Sequence, residues 1–161
     1  MELVTSVALF ATFALIVMVA INPLKQYQKA MDARRKNDLA QLSRAIELYY
    51  DDHGQYPRNA NNGEIINDNT GQAIPWGNER QPYIDLLPKD PADGKKYSYK
   101  ASSDRQSFWV FASLDIKTDP SKCNSGLQPC NQADTYCSTS GSNPSNEYYC
   151  DYGLSSPNTT P

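Results

Sequence analysis

Residues 3–21 read LVTSVALFATFALIVMVAI, a run with no charged side chain. Its length is close to the roughly 20 residues that carry a helix across a bilayer. Glu2 stands before it, and Lys25, Lys29, Arg34, Arg35 and Lys36 follow. A cleaved secretory leader would start with positive charge, carry a shorter apolar core and end at a small-residue cleavage site; this segment has none of these. From Leu24 onward the pattern turns amphipathic. Leu24, Tyr27, Met31, Leu39, Leu42, Ile46 and Tyr49 recur at spacings near three and four, with Lys, Arg, Asp and Gln between them. One helix from about residue 3 to 53 would be roughly 75 Å long at 1.5 Å per residue. Asp51-Asp52-His53-Gly54 ends it, with Gly54 suited to a left-handed cap and Pro57 forbidding continuation. Pro23 falls inside the run, removes one backbone hydrogen bond, and predicts a kink where the helix can bend.

No domain this small covers a helix of that length. The chain has 161 residues, 15 Lys+Arg against 18 Asp+Glu, and a formal charge of −3, with a mean hydropathy of −0.65. Outside the apolar run it is rich in Asn, Asp, Ser, Gly, Pro and Tyr, a composition that buries only a modest core. This leaves no room for a multidomain enzyme or a large buried active site. The acidic balance argues against nucleic acid as the main partner. The basic cluster Arg34-Arg35-Lys36 reads as a solvated helix face, partly neutralised by Asp32 and Asp38 and open to ion pairs between subunits.

Four cysteines, Cys123, Cys130, Cys137 and Cys150, occupy the last quarter of the chain. They lack the close C-x2–4-C pairs that grip zinc and have no histidine among them, so disulfides are expected. Three pairings are open, and chain order favours Cys123–Cys130 with Cys137–Cys150. Disulfides belong outside the cytoplasm, whereas the basic residues after the apolar run would hold the body inside it. The two agree if a basic leader once preceded Met1 and was removed.

Residues 58–87 read as a long connection anchored by Trp76 and Tyr83. Tyr97 to Lys100 and Phe108 to Ile116 read as antiparallel strands joined by a turn at Ser102 to Gln106, with a third strand at Glu147 to Tyr152. Catalysis has little support. His53, the sole histidine, sits where it complements the helix dipole, and no nucleophile elbow, phosphate loop or HExxH occurs. Asn158-Thr159-Thr160 matches a glycosylation sequon, a pattern frequent by chance.

The acid opening an apolar helix, then Pro23, then DARRKNDLAQLSRAIELYYDDHGQYP from Asp32 to Pro57, resembles the type IV pilin and type II secretion pseudopilin family. Leu87-Pro88-Lys89-Asp90-Pro91, Tyr97-Ser98-Tyr99 and Phe108 to Leu114 extend the resemblance, which fades after Lys117. It departs in two places. The family's acid usually stands fifth in the mature chain, whereas Glu2 is second, so either about three residues are missing or the acid is displaced. Ala14 stands where a mid-helix glycine is usual.

The resemblance implies an α+β pilin fold: a long N-terminal helix, apolar in its first half, packed on a small antiparallel sheet with a disulfide-stapled C-terminal loop. Its expected divisions are residues 1–23 as membrane and filament-core helix, 24–54 as amphipathic continuation, 55–96 as connection, and 97–161 as sheet and cysteine-rich region. It further implies a non-enzymatic structural subunit without cofactor, stored in the inner membrane, served by a prepilin peptidase and pilus assembly machinery, and polymerised with identical subunits into an extracellular filament. Glu2 would pair with a neighbour's N-terminal amine. A pseudopilin with a short periplasmic fibre is the second reading, and a membrane-anchored extracytoplasmic binding domain that never polymerises is the third. Some pseudopilins bind calcium after the sheet, and Asp115, Asp119 and Asp134 are the residues to weigh for that role, although their spacing is not the dense alternation of oxygen donors calcium prefers.

Overall fold

The computed structural model describes residues 2–123, 129–133, 137–139 and 149–161. Two helices lead, α1 (Glu2–Ile21) and α2 (Pro23–His53). Asn22 separates them in the left-handed region, φ 45°, and its side chain accepts a hydrogen bond from the Lys25 amide. Pro23 is therefore not an interior kink residue but the first residue of α2, where its missing N–H costs nothing and its fixed φ suits the helix. α1 stops and α2 restarts around Asn22, one residue before Pro23. Among the described residues no single helix is long and apolar enough to cross a membrane. By length and composition the bent pair α1–α2, at 43°, is a candidate for a broken span. At the other end Gly54 caps α2 with φ 68° and donates its amide to the Tyr50 carbonyl, as the DDHG stop predicts.

The buried stripe of α2 starts at Asp32 and Arg35 and continues through Leu39, Leu42, Ala45, Ile46 and Tyr49. It lies against a three-stranded antiparallel sheet of order β5 (Ser98–Ala101), β6 (Phe108–Ala112) and β7 (Tyr152–Ser155). Tyr99 pairs with Val110, and Val110 with Leu154. All five residues of β6, FWVFA, are buried, because the strand is central and covered on both faces. Phe108, Val110 and Ala112 join Leu39, Leu42 and Ile46 in the main core, with Tyr97, Tyr99, Tyr56, Ile65 and Leu87 around them. The Phe, Val, Leu and Ile side chains among them each contribute about 1.5–3 kcal/mol by leaving water. Trp109 and Phe111 point the other way, into a second cluster with Cys130, Cys137 and Cys150. Cys123 is bonded to Cys130 and Cys137 to Cys150. The described cysteines thus pack on the sheet's outer face, against Trp109 and Phe111.

Two expectations need correcting. The third strand spans Tyr152–Ser155; of the expected Glu147–Tyr152, residues 147 and 148 lie outside the described set, as do all of 140–148, and Tyr149 to Asp151 are not strand. The tyrosines suggested the earlier position, but pairing begins after Cys150, where Gly153 lets the strand pass the Phe111 ring; a Cβ there would meet that ring at 2.7 Å. The 58–87 connection also carries two small hairpins, β1 (Ile65–Ile66) with β2 (Ala73–Ile74), and β3 (Glu79–Arg80) with β4 (Ile84–Leu86). Two-residue strands show no alternation to read. Their turns are set by local chemistry, as where the Asn67 side chain accepts the Asn69 amide and Gly71 takes φ 72°. Within this segment Trp76 packs against Tyr97, and Tyr83 lies edge-on to Tyr49.

Candidate functional site

The first feature is a helix with nothing on it. From Glu2 to Met18 every side chain of α1 is exposed, including Leu3 at 78% and Phe10 at 75%. Thr5 and Ser6 turn their hydroxyls back to the Glu2 carbonyl, each at 2.8 Å, as polar groups on an apolar helix do. The Glu2 carboxylate is exposed at the head of this surface and has no partner among the described residues.

The second feature is the joint that holds the stem in the head. Arg35 is fully buried. Its Nε and Nη2 grip both Asp90 oxygens at 2.9 and 3.1 Å, and Nη1 reaches Asp32 at 2.8 Å and Asp115 at 2.7 Å. Asp32 in turn accepts the Asp115 and Ile116 amides at 2.8 and 2.9 Å. Lys95 donates to Asp115 at 2.6 Å and to the Ser113 carbonyl at 3.1 Å. Burial alone would lower the Arg35 pKa, but the bonds from Asp90 and Asp115 outweigh it and hold the guanidinium charged well above its ordinary range. Burial likewise opposes charge on Asp115, and Arg35 and Lys95 overcome it, keeping the carboxyl below its ordinary value.

Beside this cluster Lys36 donates to both Asp119 oxygens at 2.9 and 2.7 Å, and to Ser121. Asp119 is held down to about 2: burial works against ionisation, but Lys36 and Ser121 prevail. Lys122 then ties the Leu114 carbonyl, at 3.1 Å, to Asp151, at 2.6 Å. The basic cluster is thus not a solvated face awaiting other subunits. Arg35 and Lys36 are spent inside the chain, because the segment after β6 brings Asp115 and Asp119 onto them; Arg34 alone of the three points outward, 4.0 Å from Asp38. The carboxylates weighed for calcium are occupied by the same cations, and Asp134 lies outside the described residues. Among the described residues no group of three or more His, Cys, Asp or Glu is arranged to hold a metal ion.

Sequence reading missed this joint. Asp32 and Arg35 stand at i,i+3, a spacing that signals a pair, but nothing local says that Asp90 and Asp115, 55 and 80 residues away, complete it. His53 stacks on Tyr49 at 4.0 Å with its Nδ1 3.0 Å from the Tyr49 carbonyl, at the rim of an open cavity of about 330 Å³. It is packed against the end of α2, with the Tyr83 hydroxyl 3.4 Å from Nδ1.

Residues 22–121 match the family model described as "Type II secretion system (T2SS), protein G". The chain belongs to that family. Protein G members are pseudopilin-type subunits of a secretion filament, structural rather than enzymatic. The protein G match begins at Asn22, where α1 gives way to α2, and ends before the first cysteine, so the disulfides and β7 lie beyond it. Comparison with curated proteins and with solved structures returns no match. For a protein G family member, membership implies a membrane-anchored subunit that assembles with others and with secretion machinery.

Proposed function

We propose that this chain polymerises through α1 into a helical filament, with residues 3–21 held first in the inner membrane and then against α1 of identical subunits. The observation that carries this reading is the contrast between a head closed on both faces of its sheet and a helix bare from Glu2 to Met18. A lone monomer leaves that apolar surface in water; a repeating head-to-tail contact buries it and, because it does not close on itself, grows without limit. Glu2 is the assembly acid. A charge at the centre of a membrane helix costs on the order of 2.5–3.5 kcal/mol on insertion scales, less near the interface, and pairing with a neighbour's terminal amine removes that cost as the protomer leaves the bilayer. The hinge at Asn22–Pro23 lets the stem change direction in that passage. A prepilin peptidase and an assembly machinery of the pilus type are the expected partners.

The family match favours a periplasmic pseudopilus. A surface pilus is the second reading, favoured by the disulfide-bonded region outside the matched residues, which suits an exposed filament more than a transient one. Electron microscopy of shear-released and of periplasmic material from cells making the chain or its Glu2→Ala form, with N-terminal sequencing, tests the proposal. Filaments from the unaltered chain, lost on Glu2→Ala while membrane insertion persists, are expected. Absence of filaments from both forms overturns it in favour of an anchored binding domain.

A further inference from the structure

Outside α1, four large apolar side chains among the described residues are more than half exposed: Leu24, Tyr27, Leu48 and Leu86. They fall into two pairs with opposite surroundings. Leu24 and Tyr27 lie on the first two turns of α2, below the reach of the sheet, beside the exposed Lys25 and Lys29. Leu48 lies on the solvent face at the far end of α2, one turn before the exposed Asp51 and Asp52. Leu86 is next to the exposed Asp85 on β4. That strand begins one residue after Tyr83, whose hydroxyl donates to Asp52 at 2.9 Å, so β4 starts at the same end of the head. Arg44, also exposed, precedes Leu48 by one turn, and the half-buried Arg80 pairs with Ile84 across the hairpin, where the exposed Glu79 pairs with Leu86; Asp51, Asp52, Glu79 and Asp85 outnumber the two cations.

From Leu24 to Leu48 is 24 residues of one helix, about 36 Å at 1.5 Å per residue. A single copy therefore cannot bring its basic apolar patch onto its acidic one. A second copy displaced along the same axis by about that distance can. We propose that the two patches are the halves of one contact between copies of this chain: Leu24, Tyr27, Lys25 and Lys29 of one stem against Leu48, Leu86, Asp51 and Asp85 of another head. The contact is heterologous, leaves one patch unmatched at each end of the array, and repeats without closing. It rests on the filament reading above and adds to it the surface outside α1 that sets the axial offset. The apolar pairs supply burial, and the charges select the register and reject a side-by-side arrangement that would face lysine with lysine.

The test is a charge exchange in cells producing the full chain, with filaments in the shear-released and periplasmic fractions counted by electron microscopy. One variant carries Lys25→Glu and Lys29→Glu, a second Asp51→Lys and Asp85→Lys, and a third all four. Among the described residues none of these four side chains makes a hydrogen bond or ion pair, and for Lys25 in the first turn of α2 and Asp51 in its last the exchanged charge suits the helix dipole, so a purely structural role predicts no loss. Each two-site variant is expected to reduce filament yield at least tenfold, and the four-site variant to recover to within threefold of the unaltered chain. Polymerisation of either two-site variant at the unaltered level overturns the inference while leaving the filament reading in place. So does failure of the four-site variant to recover, and so does loss confined to the lysine variant with the chain shed from membranes, which would assign those lysines to anionic headgroups. Absence of filaments from the unaltered chain removes the filament reading itself, and this contact with it.

Discussion

Arg35 decides more than its place in a basic run suggests. Three carboxylates, Asp32, Asp90 and Asp115, are bonded to its guanidinium, and removing it would leave them facing one another with Lys95 alone, bonded only to Asp115 among the three. Breaking a buried ion pair from one side costs about 3–5 kcal/mol. Arg35→Met is therefore expected to lower stability by that amount, read as a shift in the urea midpoint of the full chain in detergent. Replacing the exposed Arg34 should change it by less than about 0.5 kcal/mol. Acidity acts on the same joint. Asp115 and Asp119 are held below their ordinary values, and a group whose pKa is depressed in the fold contributes stability above its unfolded value and loses it as pH falls through the folded one. Their contribution is complete at neutral pH and disappears between about pH 4, the unfolded carboxylate value, and about pH 2 for Asp119. Urea midpoints measured across that window should fall, and Asp119→Asn should flatten part of the fall.

At the scale of elements, the sheet works because β6 is apolar on both faces and its neighbours make room for it. Gly153 on β7 is the clearest instance, since a side chain there would collide with Phe111 at 2.7 Å and with Pro161 at 3.0 Å. Gly153→Ala should cost about 1–3 kcal/mol by forcing that ring aside, visible as a loss of near-ultraviolet dichroism at lower urea; an unchanged midpoint would mean that β7 does not sit against Phe111. Much of this level was legible beforehand. The long amphipathic stripe and the DDHG stop placed α2 because a 3.6-residue period repeats over many turns and averages out local exceptions. The two short hairpins and the position of β7 were not legible, because two to four residues carry too little pattern to outweigh the pull of nearby tyrosines and asparagines.

For the whole molecule, the decisive fact is that lysine and arginine of the chain itself satisfy the described carboxylates between β6 and β7. Lys36, Lys95 and Lys122 each satisfy a carboxylate there, so no negative charge among them calls for a divalent ion. Addition of calcium or of a chelator is expected to leave the thermal unfolding temperature of the full chain unchanged within a degree or so, on the reasoning that a ligand stabilises only where it binds the folded state preferentially. A rise of several degrees with calcium would show a site formed with residues outside the described set.

By itself the sequence determined the bipartite plan: an apolar helix too exposed for one chain, an amphipathic continuation, a small sheet and oxidised cysteines. These follow from composition and period, which are properties of contiguous residues. Only the tertiary structure decided that Arg35 is a buried keystone instead of a surface charge, that the described cysteines pack against Trp109 and Phe111, and that the helix break belongs to Asn22 instead of Pro23. The physical reason is shared by the first two. The energy of a buried charge or a packed ring depends on what stands opposite it, and here those groups come from strands and turns tens of residues away. The third turns on backbone conformation, which the sequence permitted at two adjacent residues and the folded chain adopted at one.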